Sequence, residues 1–519
     1  MNGHPARWGR RELFRAGAAT AGALLTAAGA RPLSAAPGRE FPPDIYTRIG
    51  ARPFINCTAT VTINGGSRLL PEVIGAIERA SYYHVNLDAL MEAAGKRLAQ
   101  LLKADWAMVT AGAAAALVHA TAACVAGADP ERIQQLPDLA GLKNEVIIPR
   151  SSRNVYDQAV RNAGVRTVQV DTVEEFRAAI NSRTAMAMIL GNRFEKVPCS
   201  LGEVAPIARQ AGVPVLVDAA ADYLIVPNPY LAAGADLVAY SGGKILRGPQ
   251  SAGLLLGRED LVRAALANSA PHHALGRPMK VSKEEIVGMV AAVEVWVSRR
   301  DLDKEYAEWE GWYRHIAETI TRVDGVSAAV EPPSRGGPFP TLKISWDPDK
   351  IGLTAGQLHD LLLNGEPAIQ THAAGDGHEF LLRPVAMKPG EYRIIARRLR
   401  EIFERAPRHV RKPMAPPAAD VAGRWEVEVK FLRGEARHQL FLETEGNRVS
   451  GTHLGSVARG PLEGTIEGDQ LYFRSGLPLE GVRLSYEFHG ILHGDVMEGE
   501  LDLGEYPKAQ WRARRVRPA

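Results

Sequence analysis

The chain has 519 residues, of which 46% are hydrophobic and 23% charged, and its formal net charge is +3 at pH 7. A chain of this length folds as two or more domains, and so small a net charge gives no electrostatic reason to expect a polyanionic partner such as nucleic acid. The three cysteines, Cys57, Cys124 and Cys199, are widely spaced and form no CxxC pair, so the sequence indicates neither a disulfide framework nor a metal site.

The first 36 residues predict an export signal rather than part of the fold. The segment "RWGRRELFRAGAATAGALLTAAGARPLSAAPG" contains the pair Arg10 and Arg11, then a weakly apolar run, then small residues typical of a cleavage site. The apolar run is too short and too rich in alanine to form a stable membrane anchor. We expect residues 1–36 to be a twin-arginine signal peptide that directs the folded protein to a bacterial periplasm, and a disordered cytosolic extension is the alternative.

An alternation of short apolar runs and amphipathic stretches, from about residue 44 to 320, predicts the large domain. The apolar runs are continuous, which is typical of parallel strands buried on both faces, and the stretches between them have helical periodicity. We therefore predict an α/β fold with a mostly parallel central sheet. The runs expected to form strands are residues 105–112, 144–149, 165–171, 185–192, 213–220, 235–242 and 251–257.

The remainder of the chain predicts two smaller units. Residues 283–323 predict one long helical stretch that leads into a small α/β subdomain at 321–408, and a Pro/Ala/Lys-rich linker follows at 409–420. From 421 to 516 the residues alternate between apolar and polar, with turn signals at 445–447, 468–469 and 493–495. This pattern predicts an appended antiparallel β-barrel or sandwich.

Lys244 lies in the segment "SGGKILRGPQSAG", among glycines and small polar residues that an ordinary surface lysine does not need. Ser241 precedes it by three positions, and Asp218 ends the apolar run upstream. Ligands of doubly wound sheets bind at the carboxyl ends of the strands. We therefore expect Asp218 and Lys244 to face the same crevice, although a solvated loop lysine is the ordinary alternative for such a segment taken alone.

A second signal follows the first predicted strand, where Thr110, Gly112 and Ala113 precede an alanine-rich helix. Backbone N–H groups at such a helix start bind phosphate when no bulky side chain obstructs them, and the body of the helix can still pack in the core. A phosphate site, an acidic strand end and a lysine on the next loop together predict a site for pyridoxal 5'-phosphate. Lys244 would form the Schiff base (the aldimine), Asp218 would keep the pyridine nitrogen protonated, and Ser241 would hydrogen-bond the phosphate.

Six segments resemble, in order, those of the selenocysteine synthase-like branch of fold-type I pyridoxal-phosphate enzymes, which includes seryl-tRNA selenium transferase and D-glucosaminate-6-phosphate ammonia-lyase. They are "INCTATVTINGGSRLLPEVIGAI", "VTAGAAAALVHATAACVAG", "RNVYDQAVRNAGV", "VPVLVDAAAD", "SGGKILRGPQSAG" and "MKVSKEEIVGMVAAVE". The resemblance covers roughly residues 44–405 and implies a fold-type I transferase architecture and a homodimer or larger homo-oligomer. It implies the same roles for Lys244 and Asp218, and it assigns the phosphate to Thr110, Gly112, Ala113 and Ser241.

Five further residues are candidates for contact with the substrate. By the resemblance, Arg153 and Tyr156 belong to a pocket segment, although both would also suit the surface at a helix start. Arg383 falls in the C-terminal subdomain, where fold-type I enzymes often bind the substrate carboxylate, and its planar guanidinium suits that role. A surface ion pair is the alternative for Arg383. Asn64 and Ser67 could reach the substrate from the N-terminal segment.

The expected reaction is an α,β-elimination of the ammonia-lyase type on a small amino acid or amino sugar acid. In it Lys244 removes the proton at Cα, and a hydroxyl leaves from Cβ. Selenocysteine synthase-like transfer, transamination and racemisation are the alternatives. The first is disfavoured because no basic tRNA-binding domain precedes the predicted catalytic core. A non-catalytic binding protein that works through its β-domain is the least favoured interpretation.

Overall fold

The computed structural model describes residues 44–191, 196–333, 337–372, 377–407 and 414–516. The chain divides into two units, one that ends at Pro53 and one that begins at Phe54. The described part of the first unit is residues 44–53, which contain the helix Asp44–Arg48. The predicted signal peptide lies outside the described residues, as do residues 409–413 of the predicted linker.

A seven-stranded sheet lies at the centre of the larger unit. In spatial order its strands are β2 (Trp106–Thr110), β8 (Gly253–Gly257), β7 (Leu237–Ser241), β6 (Val215–Asp218), β5 (Thr184–Leu190), β3 (Glu145–Pro149) and β4 (Arg166–Val170). Strands β3 to β7 run parallel to one another, whereas β8 runs antiparallel between β2 and β7. Each of the seven apolar runs overlaps one of these strands along most of its length, and the α/β class is confirmed. The other strands that precede the C-terminal domain are β1 (Ile55–Asn56), β9 (Val326–Glu331), β10 (Thr341–Trp346), β11 (Ile369–Gln370) and β12 (Glu379–Leu382).

The central sheet is covered by helices, so that every residue of β3, β6 and β8 is buried. The helices of the larger unit are Pro71–Ser81, Leu87–Leu102, Gly112–Ala126, Pro130–Gln135, Asp157–Arg161, Val173–Ala179, Leu201–Gln210, Pro229–Ala232, Glu259–Ala267, Lys283–Ser298, Leu302–Ile320, Ala355–Leu363 and Glu391–Arg405, and there are short 3-10 turns at Thr62–Asn64 and Arg150–Ser152. Among the described residues, no helix combines the length and the apolar character needed to cross a membrane.

The helical stretch predicted over 283–323 is divided in two, because Asp301 starts a second helix. Its carboxylate accepts a hydrogen bond from the Lys304 N–H at 3.0 Å and caps the helix Leu302–Ile320. This helix packs against Glu391–Arg405, which buries one apolar stripe. The residues predicted to form the small subdomain, 321–408, contain the helix Glu391–Arg405 and an antiparallel sheet of order β12-β10-β9.

The C-terminal strands close into an eight-stranded antiparallel barrel in which each strand pairs with its neighbours in the chain and β13 pairs with β20. Inward residues alternate with outward ones, and Trp425, Phe473, Phe488 and Trp511 fill the interior. The predicted β-domain is therefore a barrel, not a sandwich. Its strands are β13 (Gly423–Lys430), β14 (Glu435–Glu445), β15 (Arg448–Leu454), β16 (Arg459–Glu467), β17 (Gln470–Leu479), β18 (Val482–His493), β19 (Val496–Leu503) and β20 (Tyr506–Arg515).

Candidate active site

The central sheet brings several predicted site residues to one edge. The parallel strands β6 and β7 end at Asp218 and Ser241, at the same edge of the sheet. The antiparallel strand β8 begins there, and its first residue, Gly253, pairs with Thr110 on one side and with Ser241 on the other. The reversed direction of β8 therefore places the ends of β2 and β7 on either side of a single glycine.

Lys244 follows β7 in a loop that lies close against other backbone. A Cβ atom on Gly243 would lie 2.6 Å from the carbonyl oxygen of Gln250, so this position requires glycine. Burial lowers the pKa of the Lys244 amine, while the negative charges of Asp218 and Asp222 act in the opposite direction. The amine lies 5.8 Å from the centre of the Tyr156 ring.

Asp218 is a buried carboxylate, 4% exposed, at the end of β6. Burial raises its pKa, and this effect is opposed by a hydrogen bond from the Ala220 N–H at 3.1 Å and by the charge of Lys244. Among the described residues, no cationic side chain lies within ion-pair distance of this carboxylate. Within this part of the chain, Asp218 therefore lacks the ion-paired partner that a buried carboxylate ordinarily has.

The helix Gly112–Ala126 begins beside these residues without a side-chain cap. Its N-cap residue, Ala111, makes no capping hydrogen bond, and there is no acidic side chain in the first turn. Gly112 has φ +83°, in the left-handed region that favours glycine. The Thr110 hydroxyl donates a hydrogen bond to the Gly112 carbonyl oxygen at 2.8 Å and so fixes this turn rather than facing the cavity described next.

A cavity of about 250 Å³ joins these features. Six predicted residues line it: Gly112, Ala113, Tyr156, Asp218, Ser241 and Lys244. The sequence analysis did not assign its other lining residues, which are Thr60, Thr62, Ala114, Leu117, Ala220, Gly243 and Gln250. The signal for the threonines was present in the sequence, because polar residues interrupt the segment "INCTATVTING" that carries the family resemblance.

Three predicted residues lie near this cavity without lining it. The Asn64 amide donates a hydrogen bond to the Thr58 hydroxyl at 2.8 Å. The Ser67 N–H donates to the Gly243 carbonyl oxygen at 3.0 Å, and the buried Ser67 hydroxyl has no hydrogen-bond partner among the described residues. Arg153 does not line the cavity, and its guanidinium binds Asp157 and also the barrel residue Glu480. The roles of Asn64, Ser67 and Arg153 in binding the substrate stay predictions.

Arg383 lies just after β12 and forms a bridge with Thr58, in the same segment as Thr60. Its Nη1 donates a hydrogen bond to His372 Nε2 at 2.9 Å, and its buried Nε has no partner among the described residues. Burial lowers the pKa of Arg383 and also that of His372, which favours a neutral imidazole. Within the described part of the chain, Arg383 has no carboxylate partner, in contrast to the surface ion pair considered above.

The residues around the cavity fit pyridoxal 5'-phosphate. An uncapped helix start offers N–H groups to a phosphate, and the Ser241 hydroxyl lies at the same cavity. A buried carboxylate that forms no ion pair among the described residues suits a protonated ring nitrogen, and a lysine with a lowered pKa suits covalent attachment. This arrangement at the edge of a mostly parallel sheet defines the class of fold-type I pyridoxal-phosphate-dependent enzymes.

Comparison with known proteins identifies the family within this class. A family model described as L-seryl-tRNA selenium transferase matches residues 54–307. A D-glucosaminate-6-phosphate ammonia lyase of Salmonella typhimurium is 30% identical over 380 residues, which are 70% of this chain and 99% of that protein. A 5'-C-glycyluridine monooxygenase-decarboxylase of a Streptomyces species is 32% identical over 376 residues, which are 69% of this chain and 92% of that protein.

A solved structure of D-glucosaminate-6-phosphate ammonia-lyase superposes with a TM-score of 0.63 and 30% identity, over 70% of this chain and 98% of that one. The chain therefore belongs to the selenocysteine synthase-like family, whose members are pyridoxal-phosphate enzymes. The family resemblance predicted from the sequence is confirmed.

Proposed function

We propose that the chain is a pyridoxal-phosphate-dependent lyase that releases ammonia from a small hydroxylated amino acid or an amino sugar acid. The observation that carries this proposal is that Lys244, Asp218 and the uncapped start of the helix Gly112–Ala126 meet at one cavity. When bound there, the cofactor supplies an electron sink for the negative charge that develops at Cα. The other roles belong to residues of this chain.

Lys244 is the proton-transfer group of the proposed reaction. Because burial lowers its pKa, a larger fraction of the amine is neutral near pH 7 than for an exposed lysine. A neutral Nζ can accept the proton from Cα, and the same state is needed for covalent attachment of the cofactor. The charges of Asp218 and Asp222 limit this effect, so that the amine can also return a proton.

Asp218 holds the proton of the pyridine nitrogen in this proposal. A protonated ring nitrogen would give the buried carboxylate the positive partner that it lacks among the described residues. The N–H groups of the first helical turn and the Ser241 hydroxyl hold the phosphate.

The substrate carboxylate is assigned to Arg383. Its half-buried guanidinium has an Nε with no hydrogen-bond partner among the described residues and a neutral neighbour in His372, so an incoming carboxylate would neutralise it. Thr60 and Thr62 line the cavity from the adjoining segment, and their hydroxyls suit hydrogen bonds to hydroxyl groups of the substrate.

The net reaction balances without an oxidant. Removal of the proton at Cα and departure of the Cβ hydroxyl as water leave an enamine, whose imine tautomer takes up water to give a 2-keto acid and ammonia. Resemblance to the ammonia-lyase over nearly its whole length supports this reaction. A second candidate, an O₂-dependent decarboxylation, is supported by the similarity to the monooxygenase-decarboxylase.

A single set of measurements tests these candidates. The purified chain, incubated with pyridoxal phosphate, is expected to show the absorbance of lysine-bound cofactor and to retain the cofactor after borohydride reduction, whereas Lys244→Ala should retain none. Ammonia and 2-keto acid are then measured with 2-amino-3-hydroxy acids and 2-amino-2-deoxy sugar acids, in air and without oxygen. Turnover that is independent of oxygen supports the lyase, oxygen-dependent release of CO₂ supports the second candidate, and the absence of lysine-bound cofactor refutes both.

We also propose that the protein is exported through its N-terminal segment. The paired Arg10 and Arg11 and the apolar run after them support this proposal. In a bacterial host with a twin-arginine export system, the full chain should be recovered from the periplasm. The double substitution Arg10→Lys and Arg11→Lys should retain it in the cytoplasm. Equal periplasmic recovery of the two chains would contradict the proposal.

We propose in addition that the protein is a homodimer or larger homo-oligomer, as the family resemblance implies. Sedimentation equilibrium of the holoenzyme should give a mass of at least twice that of the 56.1 kDa chain. A monomer at all concentrations would contradict this assignment.

A further inference from the structure

The barrel contacts the catalytic part of the chain through the turn between β17 and β18. Leu479 and Val482 are paired across this hairpin, so Glu480 and Gly481 alone form its turn. Both have positive φ, +46° and +75°, which is the combination of a type I′ hairpin turn.

Gly481 lies against the segment that precedes the helix Asp157–Arg161. A Cβ atom at this position would stand 2.5 Å from the Asn154 carbonyl oxygen and 2.6 Å from the Asp157 carboxylate. Real Cβ atoms essentially never come so close to other heavy atoms, so the contact depends on glycine. The turn therefore fits this segment closely rather than merely lying near it.

Charged side chains extend the contact on both sides of the turn. The Glu480 carboxylate accepts a hydrogen bond from Arg153 Nη2 at 3.0 Å and lies 3.8 Å from Arg161 Nε. Arg153 also binds Asp157 through its Nε, and the side chains of these two residues are 6% and 0% exposed. The barrel thus supplies the second anionic partner of a buried arginine.

The segment held in this way carries Tyr156 at the cavity. The Tyr156 N–H donates a hydrogen bond to Asn154 Oδ1 at 2.7 Å, and its ring lines the cavity 5.8 Å from Lys244 Nζ. Tyr156 is 46% exposed, so packing around the ring does not by itself fix its position. The placement of the ring depends on the backbone from Arg153 to Asp157, which the barrel turn contacts.

We propose that the β17–β18 turn is a positioning element of the active site. Glu480 and Gly481 hold the segment Arg153–Asp157 and, through it, hold the Tyr156 ring beside Lys244. The inference rests on the proposed function, because it requires the cavity to hold a cofactor that this ring contacts. It assigns to the barrel, which lies beyond the residues matched by the family model, a role in the geometry of the site.

The full-length holoenzyme allows a test with a matched control. Gly481→Ala introduces a Cβ atom against the segment Arg153–Asp157. Gly494→Ala introduces a Cβ atom in the β18–β19 turn, where φ is also positive, +62°, but where nothing lies within 4 Å of it. Both substitutions strain the barrel backbone. Only Gly481→Ala is expected to change the visible circular dichroism of the bound cofactor, shift the pH midpoint of its absorbance and weaken pyridoxal-phosphate binding by about tenfold.

A double-substitution cycle identifies the route of the effect. If the turn acts through Tyr156, Gly481→Ala should cause little further change in a Tyr156→Ala background. Should Gly481→Ala fail to fold, Glu480→Gln replaces it with a smaller expected effect in the same direction.

Equal spectra for Gly481→Ala and Gly494→Ala, or a full effect of Gly481→Ala in the absence of the Tyr156 ring, would overturn the inference alone. A wild-type chain that binds no cofactor would overturn the proposed function and the inference together.

Discussion

Gly253→Ala is expected to weaken the binding of the cofactor phosphate without removing any side chain that is proposed to act in the site. Gly253 pairs with both Thr110 and Ser241, so it lies next to the start of the helix Gly112–Ala126. A Cβ atom there would stand 2.3 Å from the Gly112 carbonyl carbon and 2.6 Å from the Ala113 nitrogen. The substitution therefore acts on the backbone that is proposed to hold the phosphate.

The size of the effect follows from these distances. Carbon atoms in contact prefer a separation of about 3.5–4.0 Å, so the Gly112–Ala113 peptide would have to move by about 1 Å. A displacement of about 1 Å in a binding geometry costs on the order of 10²-fold, and extra volume in a packed core costs about 1–3 kcal/mol of stability. We expect the affinity for pyridoxal phosphate to fall by about 10- to 100-fold, equivalent to about 1.4–2.8 kcal/mol.

The assay compares pyridoxal phosphate with pyridoxal, which has the same aldehyde and ring but no phosphate. Apoprotein of the wild type and of Gly253→Ala is titrated with each compound, and Kd is measured from the absorbance of the lysine-bound species. The wild type should prefer the phosphorylated form strongly, and Gly253→Ala should lose most of that preference. Thermal unfolding measures the general cost of the substitution separately.

Two results would refute this reasoning. If Gly253→Ala folds and binds pyridoxal phosphate as tightly as the wild type, the helix start does not hold the phosphate. If both compounds lose affinity by the same factor, the substitution disturbs the lysine or the ring site, and the phosphate is bound elsewhere.

Three further predictions concern titratable groups. Asp218→Asn should still take up cofactor but lose about 10²–10⁴-fold in turnover rate, because the ring nitrogen would lose its anionic partner; unchanged initial rates would contradict this role. Covalent attachment of cofactor to apoprotein should accelerate with rising pH and reach half its maximal rate below pH 10.5, the ordinary pKa of lysine, since burial lowers the pKa of Lys244; a midpoint at or above that value would contradict it. Burial raises the pKa of Glu145, but hydrogen bonds from Asn181 and two arginines outweigh burial and lower the pKa to about 2. Its contribution to stability should therefore be complete above pH 4.5 and disappear as the pH falls towards 2, so Glu145→Gln should cost about 1–3 kcal/mol in urea unfolding at pH 7 and progressively less in acid.

The central sheet could be predicted because its strands are buried on both faces. A run such as Val215–Asp218 has no polar alternation, and the amphipathic stretches between runs distinguish a parallel sheet from a hairpin. The antiparallel direction of β8 could not be predicted in this way, because Gly253–Gly257 has the same continuous apolar character as its parallel neighbours. The direction of β8 is set by the loop that contains Lys244 and connects β7 to β8, and the composition of β8 itself does not encode this direction.

The principal residues of the site were predictable for a related reason. The carboxyl ends of parallel strands lie at the same edge of a sheet, so Asp218 and Ser241 could be placed close together from the predicted strands alone. Thr60, Thr62 and Gln250 were missed because their segments reach the cavity through tertiary contacts, such as the hydrogen bond from the Ser67 N–H to the Gly243 carbonyl oxygen. No periodicity in the sequence reports contacts of that kind.

The second ion-pair partner of Arg153 could not be predicted from the sequence. The family resemblance placed Arg153 in a pocket segment, and its guanidinium in fact binds Glu480, a residue 327 positions away. The turn at Glu480 and Gly481 was not predicted, because two-residue hairpin turns of this type prefer Asn, Asp or Gly at the first position and Glu480 gives no such signal. The contact of Arg153 with this turn was not predicted either, because an arginine with one nearby carboxylate, Asp157, already has an ordinary ion pair in the sequence. Only the docking of the barrel shows that the same arginine has a second carboxylate partner and that the barrel reaches the segment carrying Tyr156.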